Sequence, residues 1–214
     1  FGVEQLAKGF QFSAANPLVG LEERAALLRR LGEQLLSFLG TDQEPNPRIA
    51  NILDKISIGE DRVLKVDRLL GTLQKLLRNV WPPRLTLGGR NLGDVWRHHL
   101  LADSEITTEL VPFHKLTQWL TYSLLEPLEE AGYQVQDIDL LTGLPEYRNG
   151  GLFFDTGILE LKKPDEIDAL HLVSSELIVE WRALTVILLD RLAEQLREKL
   201  RLTREELPLP QILQ

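Results

Sequence analysis

The 214-residue chain contains no cysteine, which excludes a disulfide framework, an Fe–S cluster, a thiolate zinc site and a cysteine nucleophile. That absence fits a cytoplasmic location. Methionine is also missing, which is unusual at this length. The longest apolar runs fall far short of a bilayer span: Leu184-Thr-Val-Ile-Leu-Leu189 ends at Asp190 and Arg191, so no membrane partner is expected. Lys and Arg are spread along a chain of net charge −8, and nothing forms the one-sided basic footprint of a nucleic-acid binder. There is no Gly-x-Ser-x-Gly elbow, Walker loop or Gly-x-Gly-x-x-Gly fingerprint, which removes support for serine hydrolases, P-loop NTPases and dinucleotide folds. His98 and His99 are adjacent, so on a regular helix or strand they point to different faces. With no His-x-x-x-His or His-x-Glu pair either, neither a metal site nor a cofactor is expected.

What remains, 43% hydrophobic and 26% charged residues, is enough to bury one substantial core. The pattern reads as mainly α: a single helical domain over residues 1–214 with a small β-hairpin. Asn16-Pro17 introduces a helix from about Leu21 to Leu39, with Leu27, Leu28, Leu31, Leu35 and Leu36 on one face and Gly40 as its stop. Residues 41–60 open on a run of turn formers and read as a mobile loop. A second helix is expected from about Asp61 to Asn79. Trp81-Pro82-Pro83 ends it, and Arg84 to Leu92 reads as a hairpin turning at Gly88-Gly89, the one convincing sheet signal. Pro112 suits the first turn of a third helix that runs to Ala131 and closes at Gly132, with Leu116, Trp119, Leu120, Leu124 and Leu128 on its apolar side. The last helix starts at Ser174 or Ser175 and carries Leu177, Trp181, Leu184, Leu188, Leu192 and Leu196 at spacings of three and four. The start, Phe1-Gly-Val-Glu4, has neither an initiator methionine nor signal-peptide regions, and more chain is expected before it in the natural protein.

Three clusters have residues suited to chemistry. In Leu144-Pro-Glu-Tyr-Arg-Asn-Gly-Gly151 a carboxylate, a phenol, a guanidinium and a carboxamide precede two glycines that permit close approach of a backbone or a ligand. A solvated surface turn is the plainer alternative. Glu109 to Gln118 places His114, Lys115 and Gln118 around a helix N-terminus, where free N–H groups and an ammonium suit an anion such as phosphate; a solvated lysine and a core histidine are the alternatives. Glu176 and Glu180 form a like-charge pair four residues apart with Arg182 beyond, so at least one glutamate should meet a cation, with Arg148 or Lys115 as the natural candidates. An outer polar stripe is the bland reading there.

Phe10-Gln-Phe-Ser-Ala-Ala-Asn-Pro-Leu-Val-Gly20, Asn91-Leu-Gly-Asp-Val-Trp96, Leu110 to Trp119, Leu141 to Gly151 and Glu180-Trp-Arg182 together resemble the uracil catabolism protein four family of fungi and bacteria. The resemblance covers essentially the whole chain in motif order, but only the C-terminal half of that family's length, so the missing N-terminal half becomes a candidate partner. The family is tied to a pathway passing through ribosylurea-type intermediates, which implies a small nucleoside- or nucleotide-derived substrate. Phe113-His-Lys-Leu-Thr-Gln118 and the Leu141-Thr to Tyr147-Arg148 stretch are more faintly similar to the queuosine-phosphate N-glycosylase (queuosine salvage) family, which implies a helical fold related to DNA glycosylases and hydrolysis of an N-riboside. That family's aspartate before Tyr-Arg is matched here by Glu146, one methylene longer.

The resemblance therefore implies an N-glycosyl hydrolase. Glu146 would stabilise positive charge at C1′ and activate water, and His114 or Tyr147 would assist the leaving nitrogen. Lys115 and Arg148 would hold phosphate or ribose oxygens, and Asn149 and Gln118 would contact substrate. Glu180 and Arg182 would brace Arg148 and the Glu146 segment. The alternatives are a non-catalytic module that binds a nucleotide-derived ligand or a pathway enzyme, and an amidohydrolase acting on the ureido group.

Overall fold

The computed structural model describes residues 1–41, 46–101 and 109–213. The chain is mainly helical, and its residues gather into two compact units, one of 1–61 and 71–93 and the other of 62–70 and 94–214. No helix among the described residues is long and apolar enough to cross a membrane.

The first unit holds α1 (Val3–Gly9) and α2 (Leu21–Leu39), with Gly40 at the end of α2 as the glycine stop predicts. Of the proposed loop at 41–60, residues 42–45 lie outside the described residues. Ile49–Lys55 forms a 3₁₀ helix that puts Ile52 into the core, and Ile56 follows it. The hairpin is where the glycine pair predicts it: β2 (Thr86–Leu87) pairs antiparallel with β3 (Arg90–Asn91), and Gly88 and Gly89 both take positive φ, 55° and 74°. A two-residue connection of that shape needs left-handed backbone at both positions, which glycine adopts at no steric cost.

The second unit is built around α4 (Lys115–Glu130), α5 (Tyr147–Asp155) and α6 (Glu176–Leu200), with α7 (Leu209–Leu213) at its end. It also holds sheet that the sequence did not signal. β1 (Val63–Lys65) pairs in parallel with β6 (Gln134–Gln136), and β4 (Val95–Arg97) pairs antiparallel with β5 (Leu110–Pro112). The helix expected from Asp61 therefore begins later, as α3 (Val66–Leu77). Pro112 lies in β5 rather than in the first turn of α4, which starts three residues on.

The buried stripes on α4 and α6 also differ from expectation. On α4 they run through Thr117, Thr121, Leu125 and Leu128, while Leu116 and Trp119 are half exposed. On α6 they run through Val179, Thr185, Leu189, Ala193 and Arg197, and Leu192 is exposed. The cause lies in the threonines. Thr121 Oγ1 donates to the Thr117 carbonyl at 2.9 Å, and Thr185 Oγ1 to the Trp181 carbonyl at 2.8 Å. A hydroxyl satisfied within its own helix can be buried at little cost, and it lets helices approach where leucine would hold them apart.

Gly150 marks such an approach between α5 and α6. A β-carbon there would lie 2.6 Å from Trp181 Nε1 and 2.8 Å from Thr185 Oγ1, whereas one at Gly151 would meet nothing within 4 Å. The two neighbours should therefore respond oppositely to alanine. Gly150→Ala is expected to destabilise by about 1–2 kcal/mol, overpacking outweighing better helix propensity. Gly151→Ala should stabilise by about 0.5–1 kcal/mol. Urea unfolding of the two variants checks the signs; a stabilising Gly150→Ala would contradict the close helix contact.

Candidate active site

All the groups described here belong to the second unit. After β5 the chain passes through buried Phe113 and then His114, the residue preceding α4, which takes left-handed backbone at φ 46° and ψ 38°. For a non-glycine residue that conformation costs on the order of 1 kcal/mol, so something must hold it. Asp94 does. Its backbone carbonyl accepts the N–H groups of Phe113 and His114 at 3.0 and 3.3 Å, and its carboxylate accepts that of Lys115 at 3.1 Å.

The same carboxylate takes a bidentate pair from Arg182, at 2.9 and 2.8 Å, and a hydrogen bond from Trp96 Nε1 at 2.7 Å. The Arg182 guanidinium also lies 4.0 Å from the centroid of the Phe113 ring, over a core of Trp96, Phe113 and Val179. Burial pushes the Asp94 carboxyl up, but Arg182, Trp96 and the Lys115 amide outweigh it and hold it below the usual carboxylate value. Burial pulls His114 below the ordinary histidine value, and the nearby Asp94 charge only partly opposes this. The imidazole is therefore neutral at pH 7.

The loop that carries Glu146 is pinned from two helices. Gln118 on α4 accepts the Thr142 N–H at 3.1 Å and donates to Thr142 Oγ1 and the Phe113 carbonyl at 3.2 and 3.1 Å. Tyr122 Oη donates to the Thr142 carbonyl at 2.9 Å, and Asp190 on α6 accepts the Gly143 N–H at 2.7 Å. Burial raises the Tyr122 phenol above its ordinary value, helped by the Asp190 charge. Glu146 then stands immediately before α5, the position where a short polar side chain usually caps the helix. It makes no such cap. Its carboxylate instead reaches Lys115 Nζ at 3.0 Å, with the two side chains 24% and 32% exposed, so both charges are within reach of a ligand. Tyr147 and Arg148 are exposed beside it, and Asn149 is half-buried.

The structure thus brings His114, Lys115, Gln118, Glu146 and Arg182 into one neighbourhood. It does not pair Glu176 and Glu180 with Arg148 or Lys115: Glu176 Oε1 lies 2.6 Å from His99 Nδ1, and Glu180 Oε2 lies 4.0 Å from His98 Nε2. The adjacent histidines stack, ring centroids 5.3 Å apart, instead of facing opposite ways, because regular strand ends at Arg97 and a 3₁₀ turn begins at His99. Arg182 braces the entrance to α4 through Asp94 rather than through Arg148. The Lys115 amide is already occupied by a carboxylate, so the ammonium is the part of Lys115 that can meet an anion. Sequence reasoning missed Asp94 and Thr142 as individual residues; both lie inside the quoted motifs, and an aspartate two residues before a tryptophan was the available signal.

Residues 1–214 match the model of the family described as "Protein of unknown function (DUF1688)". The chain belongs to this family. It is 44% identical over 199 residues to Protein urg3 of Schizosaccharomyces pombe, covering 92% of this chain and 47% of that protein. It is 35% identical over 238 aligned residues to Uracil catabolism protein 4 of Lachancea kluyveri, covering 99% of this chain and 54% of that protein. The chain therefore spans about half the length of the curated relatives it matches. No solved structure matches it.

Proposed function

We propose that this chain acts in uracil catabolism, hydrolysing the N-glycosidic bond of a pyrimidine-derived riboside such as N-ribosylurea or its 5′-phosphate. The observation that carries the reading is the accessible Glu146 carboxylate, released from helix capping and set 3.0 Å from the Lys115 ammonium. The name of the relative from Lachancea kluyveri supports the pathway, and the likeness of the Glu146 segment to N-riboside hydrolases supports the bond.

In this reaction C1′–N cleavage builds positive charge on the ribose, which a carboxylate beside C1′ stabilises. Glu146 takes a proton from water as its oxygen bonds to C1′, and the departing ureido nitrogen takes a proton to become urea. His114, neutral, can donate an N–H hydrogen bond to that nitrogen, and the exposed Tyr147 phenol can supply or relay the proton. Lys115 and Arg148 hold phosphate or ribose oxygens, and Asn149 the ribose hydroxyls. Gln118 serves by holding the loop, since both ends of its amide are engaged.

Incubation with N-ribosylurea and with its 5′-phosphate, at the protein's full natural length, tests this. The expected products are urea and ribose or ribose phosphate in equal amounts. Ammonia and carbon dioxide would assign an amidohydrolase instead, and binding without turnover a non-catalytic module.

A further inference from the structure

We infer that Asp94 is the positioning residue of this site, the group that sets the Lys115 ammonium against Glu146. The inference rests on the site proposed above but is carried by separate geometry. Three successive backbone N–H groups, those of Phe113, His114 and Lys115, all donate to Asp94, two to its carbonyl and one to its carboxylate. That arrangement fixes the left-handed turn at His114, and the turn fixes the direction in which Lys115 leaves the helix.

The carboxylate has no capacity left over. Arg182 takes both oxygens, Trp96 adds a donor to one and the Lys115 amide a donor to the other. A carboxylate so engaged neither abstracts a proton nor receives a ligand; what it does is hold. Arg182, from α6, is itself laid over Phe113, so α6, the start of β4 and the entrance to α4 are locked through one side chain. Glu146 is held through Gln118, Thr142 and Asp190. The Lys115–Glu146 pair is thus the meeting point of two supports, joined where Gln118 donates to the Phe113 carbonyl, and Asp94 acts directly on the Lys115 side.

Asp94→Asn leaves the backbone carbonyl and its two bonds in place and removes the charge that Arg182 and the Lys115 amide grip. Arg182→Lys keeps a positive charge but loses the planar fork. Two readouts separate positioning from a general structural role. The first is the rate of acetylation of individual lysines by an N-hydroxysuccinimide ester, read by mass spectrometry on the folded protein. Lys115 is expected to react severalfold faster in Asp94→Asn and to an intermediate degree in Arg182→Lys, while Lys65 and Lys163 keep their wild-type rates. The second is steady-state urea release from N-ribosylurea 5′-phosphate, where kcat/KM should fall about ten- to a hundredfold with KM carrying most of the loss, the scale of one lost hydrogen bond to a charged group that holds substrate. Unchanged labelling of Lys115, or a rise shared by all lysines, would overturn the inference. If the wild-type protein releases no urea, the proposed reaction falls, and the labelling alone decides the role of Asp94.

Discussion

Glu146→Gln is expected to lower kcat for urea release by about 10²- to 10⁴-fold while leaving ligand affinity within a small factor of wild type. The size follows from the two tasks given to one carboxylate, stabilising charge at C1′ and taking a proton from water, neither of which an amide performs. Glutamine keeps the shape and can still accept a hydrogen bond from Lys115. The fold should hardly notice: the Lys115–Glu146 pair is partly exposed, and such pairs contribute no more than about 1 kcal/mol. Loss of turnover at an unchanged melting temperature is thus the signature of lost chemistry. Calorimetric titration with N-ribosylurea 5′-phosphate, beside the rate assay, separates binding from turnover. Wild-type rates in the variant would remove Glu146 from the mechanism.

The largest effect on stability is expected at Arg182. Its side chain is 17% exposed and that of Asp94 26%, which places the pair nearer the buried class, where removing one partner costs about 3–5 kcal/mol, than the surface class, worth about 0–1 kcal/mol. Arg182→Ala strands a desolvated carboxylate and uncovers the Phe113 ring, and about 3 kcal/mol is expected from urea unfolding at pH 7. The pH dependence has a definite sign. Asp94 carries a folded-state pKa below its ordinary value, with burial opposing and Arg182, Trp96 and the Lys115 amide prevailing. Its contribution is complete above the ordinary carboxylate range and is lost as pH falls through the lowered folded value. The gap between wild type and Arg182→Ala should therefore narrow on acidification below about pH 4. A cost under about 1 kcal/mol at pH 7 would place the pair in the surface class, and a gap that widened in acid would contradict the electrostatic account.

The long elements were legible because each has a period and a stop. Leu21 to Leu39 repeats at helical spacing and meets Gly40, and Gly88-Gly89 permits the backbone that a two-residue hairpin requires. β1 and β6 were not legible, since three residues each are too few for an alternating pattern and their partners lie some seventy positions apart. The buried faces of α4 and α6 were misassigned because counting threonine as polar ignores a hydroxyl that bonds back to its own helix, as at Thr121 and Thr185. In the site, Glu146, Lys115 and His114 could be named from side-chain chemistry and motif. For Asp94 the one local signal was the tryptophan two residues on; its part depends also on its own backbone carbonyl and on Arg182, 88 residues away, and neither of those leaves a local pattern.

The central claim is that the bond broken is C1′–N, and proton NMR of the reaction in progress tests it most directly. With N-ribosylurea 5′-phosphate and the protein at full natural length, the riboside H1′ signal should decay as the anomeric signals of free ribose 5-phosphate grow, with urea released in step. Consumption of substrate with ammonia and carbon dioxide released in place of urea would contradict the account.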